Sequence, residues 1–202
     1  MAFEEIVAGP LSVYIAPVGT TFPTMDAAPS GDWALLGTNG DASYSEEGVE
    51  VMHDASFNKV RTAGAAGSVK ALLDTEDFML RLTLVDITLE EYARALNDNT
   101  VATTAAGSGT MGFKRAGLSR NAGKHAASEF ALVARGISPE VETLPLQYCV
   151  PRVFNSANAQ PVFRRGQPAR LALSLEALHD PAASSASERF GYLQYGTAVA
   201  LS

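Results

Sequence analysis

The sequence predicts a mainly β protein, a β-sandwich or partial barrel with one short α-helix packed on the sheet and a long β-hairpin arm. Three observations carry this. Roughly eight stretches are strand-like, most of them alternating apolar and polar residues with a period of two, as strands with one buried face require. Only one stretch carries a clear helix-start signal. Two of the strands, between Gly48 and Asn97, flank a glycine-rich connection and lead directly into that helix.

In the first strand of this central stretch Glu50, Asp54, Ser56 and Asn58 are polar, while Val49, Val51, Ala55 and Phe57 are apolar. Thr62–Ser68 follows with two glycines and no large apolar side chain, which predicts a mobile tip. Phe78, Leu80, Leu82 and Leu84 then alternate with Met79, Arg81, Thr83 and Val85, a second strand. Asp74, Glu76 and Asp77, just before it, read as a solvated turn. Thr88 can cap a helix and Glu91 completes a capping box. Leu89, Tyr92, Ala93 and Leu96 fall on one helical stripe. Glu90 and Arg94 are spaced for an i,i+4 ion pair, and Asn97 suits a left-handed stop.

Before this stretch, Leu11–Ile15 alternates as a first strand, ended by Pro17 and Gly19. Residues 20–31 read as a surface loop, Trp33–Leu36 as a short strand, and Gly37–Gly40 as a turn, because Asn-Gly favours positive φ. After it, residues 98–109 read as a Thr/Ala/Gly-rich loop and Thr110–Leu118 as a strand with Met111 and Phe113 on one face. Glu129–Ile137 and Leu144–Phe154 are strands, the latter placed near an edge or bend by Pro145 and Pro151. Arg164-Arg165-Gly166-Gln167-Pro168 interrupts the chain before Ala169–Leu178, a strand with Leu171, Leu173 and Leu175 on one face. An Ala/Ser-rich linker then leads to an aromatic strand or docking segment at Phe190–Tyr195. The expected organisation is a single domain over 1–202, with an extended hairpin tip at 60–72, a loop-rich insertion at 98–128 and a C-terminal linker and docking segment at 181–202.

Composition narrows the function. Hydrophobic residues make up 47% and charged residues 18%, so a packed core is expected. A formal charge of −7 disfavours tight clamping of phosphates. Cys149 is the only cysteine, so neither an internal disulfide nor a cysteine-based zinc site can form. Glu4 and Glu5 stand where a secretory leader carries Lys or Arg, and no apolar run approaches a membrane span, so a soluble cytosolic product is expected.

No catalytic constellation is legible. His53 and Asp54 are strand neighbours and therefore point to opposite faces. His125 lies in a loop, and His179 ends a strand. Ser56-Phe-Asn-Lys59 matches an S-x-x-K string but sits in a strand without its companion motifs. Gly107 and Gly109 form a G-x-G with neither the strand nor the helix of a dinucleotide site. Cys149 reads as a small core residue. The expectation is a non-enzyme with no catalytic, cofactor-binding or metal residues.

The order of elements resembles the tail tube (major tail) proteins of long-tailed, siphophage-type bacteriophages. The residues that carry the resemblance are LSVYIAPVGTTFP, WALLGTNG, SEEGVEV with its long strand and Gly/Ala-rich tip, FMLRLTLVDITLEEYARALN, and the closing RFGYLQYGTA. It lies mainly over 11–97. It implies hexameric rings stacked into a tube that conducts DNA, with each sheet completed into a ring barrel by oligomerisation. The hairpin tip would touch the adjoining ring through Val60, Thr62, Gly64, Gly67, Val69 and Leu72, and the helix would pack outside. Glu50, Asp54, Ser56 and Asn58 would face an acidic lumen that repels phosphate. Partners would be other copies of the chain, the terminator, tape-measure and distal tail proteins, and passing double-stranded DNA without specific binding, but no membrane. The place would be the virion tail, assembled in the host cytoplasm, and a flexible tail is favoured. A tail-completion protein would share much of the fold. A solitary β-sandwich binding module of carbohydrate or adhesion type would instead expose an aromatic platform, for which Trp33, Tyr192 and Tyr195 are the candidates.

Overall fold

The computed structural model describes residues 9–64, 66–97, 100–137 and 144–197. In chain order these form β1 Ser12–Pro17, β2 Ala34–Leu35, β3 Tyr44–Arg61, β4 Ser68–Leu84, α1 Leu89–Ala95, β5 Val101–Thr104, β6 Phe113–Ala116, β7 Phe130–Ile137, β8 Pro145–Asn155, β9 Leu171–Ala177 and β10 Tyr192–Tyr195. One antiparallel sheet runs β2-β1-β7-β8-β9-β4-β3, with β10 also paired to β8, and β5 and β6 make a separate two-stranded ribbon. The expected mainly β class with one short helix is therefore observed. The reading from N-terminal Glu4 and Glu5 lies outside the described residues.

Alternation decides which side of the sheet faces the core. Val13 and Ile15 of β1, Leu132 and Ala134 of β7, Leu171, Leu173 and Leu175 of β9, and Leu80, Leu82 and Leu84 of β4 all join one buried cluster. Strands β1 and β4 lie four places apart in the sheet yet share this cluster, so the sheet curls around its own apolar face. Tyr44 links the two ends of the curl. Its hydroxyl accepts a hydrogen bond from Val13 N and donates to Leu36 O, each at 3.0 Å. Burial pushes the Tyr44 phenol well above its ordinary pKa, keeping it the neutral donor this link needs.

The back of the sheet is divided. Behind β1, β7 and β8 a second cluster of Ala16, Trp33, Ala131, Val133 and Cys149 is covered by Phe22 and Tyr192. The loop carrying Phe22 is tied down by Arg135, which donates to the carbonyls of Met25 and Ala27, and by Gln147 Nε2 on Pro23 O at 3.0 Å. Strand β10 can approach only because residue 191 is glycine: a Cβ there would meet Cys149 O at 2.1 Å. Behind β3, β4 and β9 the outward residues Glu50 and Arg81 are exposed, and Met52, Met79, Ser174 and Glu176 are half-buried.

Several expectations need correcting. Asp74, Glu76 and Asp77 lie within β4, which begins ten residues before Phe78. These acidic positions are exposed on a projecting ladder, so no apolar alternation marked them. Val101–Thr104, read as loop, is a strand paired with Phe113–Ala116, and Met111 and Phe113 are exposed. Strand β8 is central, pairing with β7, β9 and β10. Pro151 fits because the β7–β8 ladder skips from Leu132↔Val150 to Phe130↔Val153, leaving it without a rung.

In α1, Thr88 Oγ1 accepts from Glu91 N at 3.1 Å, as a cap should. The expected Glu90–Arg94 pair does not form. Arg94 bonds Glu91 at 2.9 Å, and Glu90 pairs with Lys114 of β6. The reciprocal half of the capping box is diverted too, since Glu91 Oε1 accepts from Gly37 N at 3.2 Å. Ala93 and Ala95 are buried, with Tyr92 packed partly against the core; Leu89 and Leu96 are only half-buried. Asn97 takes the left-handed conformation at φ 53°. It also does more than end the helix, exchanging two 2.8 Å hydrogen bonds with the backbone of Asn155.

Candidate functional site

The feature that leaves the body is the β3–β4 hairpin. From His53 to Arg61 and from Ser68 to Asp77 every residue is exposed, whereas Phe78, Leu80, Leu82 and Leu84 are buried. The ladder is nevertheless continuous, from Val49↔Leu82 out to Arg61↔Ser68. Residues 54–61 alone span on the order of 25 Å at a strand's rise per residue. Irregularities between Ser56 and Phe57 and between Val60 and Arg61 add local twist.

Two sets of side chains distinguish this arm. One is apolar: Phe57 is 56% exposed and lies opposite Leu73 at 54%, with Val60, Val69 and Leu72 between 40% and 55%. Single exposed apolar residues are ordinary, but Phe57 and Leu73 meet on one face of the hairpin, while Leu72, next in sequence to Leu73, turns to the other. The other set is charged. Asp54, Asp74, Glu76 and Asp77 ring the stalk, and Asp54 stands directly opposite Asp77. Lys59, Arg61 and Lys70 occupy the distal part, where no acid lies between Asp54 and Asp74. The arm is thus acidic at its stalk and basic towards its tip, in a chain of net charge −7.

At the arm's foot His53 meets Phe78 edge-on, with ring centroids 4.6 Å apart. Beside it lies a concavity of about 550 Å³ whose lining includes Val51, Phe78, Tyr148, Phe190 and Leu193. It carries Glu76 and Glu188 at its margin, and His53 is its only imidazole. Among the described residues no group of three or more His, Cys, Asp or Glu is arranged to hold a metal ion.

The predicted site residues divide as follows. Glu50, Asp54, Ser56 and Asn58 lie on one face of β3, opposite the core-directed Val49 and Val51, and all four are exposed. Ser56 bonds Thr75 across the ladder, Oγ to Oγ1, at 2.7 Å. Val60, Thr62, Gly64, Gly67, Val69 and Leu72 lie together on the distal arm and are exposed. Trp33 is buried against Phe22, and Tyr192 and Tyr195 are half-buried, so the three do not make an exposed platform. Burial raises the pKa of the Cys149 thiol and pushes the Tyr192 phenol up to about 12. Sequence reasoning missed the pairing of Phe57 with Leu73 and the charge step along the arm. The charge step was open to a count of residue types between Asp54 and Asp77, whereas the Phe57–Leu73 pairing depends on the irregular register between Ser56 and Phe57.

Two carboxylates beside the helix, half-buried Asp86 and buried Glu91, hold the turn that precedes β3. Asp86 Oδ2 accepts from Thr38 N at 3.0 Å and Ser43 Oγ at 2.7 Å. Burial opposes ionisation of Asp86, but these hydrogen bonds outweigh it and hold its pKa below the ordinary value. Glu91 is 4% exposed, and its burial raises its pKa despite the adjacent Arg94. Residue 37 is glycine, at φ 78°, because a Cβ would come within 2.8 Å of Ser43 Cβ.

No protein-family model matches the chain, and no curated protein matches it.

Proposed function

We propose that the chain is a structural subunit of a phage tail tube, whose copies close into hexameric rings that stack to conduct DNA. The single observation that carries this reading is the arm: a hydrogen-bonded hairpin held clear of its own body, with apolar side chains exposed along it. Leaving such surface in water is unfavourable, and covering it with a sister copy recovers that cost. Strands β2 and β3 stand at the ends of the sheet order, and free strand edges favour pairing with another chain. The face on which Glu50 and Asp54 are exposed supports an acidic lumen along which phosphate would slide without adhering. On this reading the terminator, tape-measure and distal tail proteins are its further partners and the virion tail its place.

Electron microscopy and sedimentation of the purified full chain test the proposal. Rings or tubes above a threshold concentration are expected. A monodisperse monomer at every concentration would overturn it.

A further inference from the structure

Between β8 and β9 the chain makes a second projection. Residues Val162–Pro168 are all exposed, with Phe163 at 78% and Val162 at 56%. A bridge between Arg164 and Gln167 closes a turn around Gly166. Beneath the turn is a concavity of about 420 Å³ lined by Gln160, Val162, Arg164, Gln167, Pro168 and Arg170. Its polar lining is two guanidinium groups and two amides, with no carboxylate, which is the chemistry of a site for anionic groups.

The strand register fixes where this turn lies. It feeds β9 at Leu171, which pairs with Leu84, the end of β4 farthest from the arm. Strand β9 then runs towards the arm's foot, where Glu176 pairs with Met79. The arginine turn and the arm therefore leave opposite ends of the same pair of strands.

Their surfaces are complementary. The stalk carries Asp54, Asp74, Glu76 and Asp77 beside the apolar Phe57 and Leu73. The turn carries Arg164, Arg165 and Arg170 beside the apolar Val162 and Phe163. The stalk also holds an unfavourable arrangement of its own, because Asp54 and Asp77 are like charges directly opposed on a ladder. A cationic partner relieves that repulsion.

We infer that the Val162–Arg170 turn of one copy is the receptor for the acidic stalk of the arm on the next. This contact is head to tail, so repeating it gives an extended stack. It rests on the self-assembly reading above and adds to it the surface that receives the arm.

Charge reversal tests the pairing in the full chain. Asp74→Lys/Asp77→Lys and Arg164→Glu/Arg165→Glu alter exposed positions only, and their thermal midpoints should stay near that of the parent. Each variant alone should raise the threshold concentration for assembly about tenfold or more, since like charges facing across an interface are strongly unfavourable. Mixing the two variants, or combining all four changes in one chain, should restore assembly, because every stalk again meets an oppositely charged turn. The neutral pair Arg164→Gln/Arg165→Gln should show an intermediate loss, and the parent's threshold should rise with salt. Assembly unaffected by the reversals, or impaired without rescue on mixing, would overturn the inference while leaving self-assembly standing. So would loss of duplex-DNA binding, with unchanged assembly, as the sole effect of the arginine reversals. A parent chain that never assembles would remove the self-assembly reading itself, and this inference with it.

Discussion

Replacing Phe57 and Leu73 together by threonine separates assembly from folding. The two side chains face each other across the arm and are 56% and 54% exposed. Burying a side chain of this size fully is worth about 1.5–3 kcal/mol, so covering the exposed half of each contributes about 1 kcal/mol, or about 2 kcal/mol per arm. At about 1.4 kcal/mol per decade, that is roughly a thirtyfold rise in the concentration needed for assembly. The effect on folding should be small. Neither residue touches the core, threonine suits a strand, and surface changes of this kind stay within about 0.5 kcal/mol. Leu80→Ala supplies the contrast: Leu80 is fully buried, and its truncation should cost about 2–5 kcal/mol of stability. Sedimentation across a dilution series gives the assembly threshold, and denaturant unfolding of the unassembled subunit gives the stability. The reasoning is refuted if the double variant assembles at the parent's threshold, or if it loses as much stability as Leu80→Ala.

Trypsin should cut the unassembled chain at Arg61, at the distal end of the arm, and at Arg164 or Arg165 in the exposed turn, and assembly should protect these bonds; equal cleavage in both states counts against an arm covered by a neighbour. Asn155→Ala should destabilise by about 2–4 kcal/mol, measured by chemical unfolding, because the buried side chain donates to Ala95 O and accepts from Ser174 N and Ala157 N. Glu91 gives a pH signature. Its folded pKa is raised, so ionisation is easier in the unfolded chain, and its contribution to stability falls as pH rises from the ordinary carboxyl pKa through the folded value. Glu91→Gln removes that fall, so the variant should gain on the parent as pH rises above the ordinary carboxyl pKa of about 4.3. Parallel unfolding midpoints across that rise would contradict it. Asp86, whose folded pKa is depressed, acts in the opposite sense and loses its contribution only as pH drops below the ordinary carboxylate range.

What could be read from the sequence follows from what burial imprints on it. Strand β9, with Leu171, Leu173 and Leu175 turned to the core and Ala172, Ser174 and Glu176 turned away, carries the alternation that a half-buried strand requires. Thr88 and Asn97 bound the helix through local backbone geometry, which needs no tertiary information. The outer part of β4 left no such imprint. From Ser68 to Asp77 neither face packs on the body, and only pairing with β3 makes it a strand. Strand β5 was hidden in the same way by its small and polar residues, whereas its partner β6 falls within the predicted Thr110–Leu118 strand. The partner of Arg94 turned on Lys114, twenty-four residues beyond Glu90, whose pairing with Glu90 no local spacing rule contains. In the candidate site the polar face of β3 was legible from its period, whereas the receiving surface at Val162–Arg170 read only as an interruption between strands.

The forked pairing of β8 has a mechanical consequence. Strand β4 holds β9 through six rungs, but β9 holds β8 through three, at Val153, Phe154 and Asn155. A pull on the arm therefore passes through this short ladder, which the side-chain bonds of Asn155 to Ala95 O and Ser174 N reinforce, and beside it through the Tyr44 link to Val13 and Leu36.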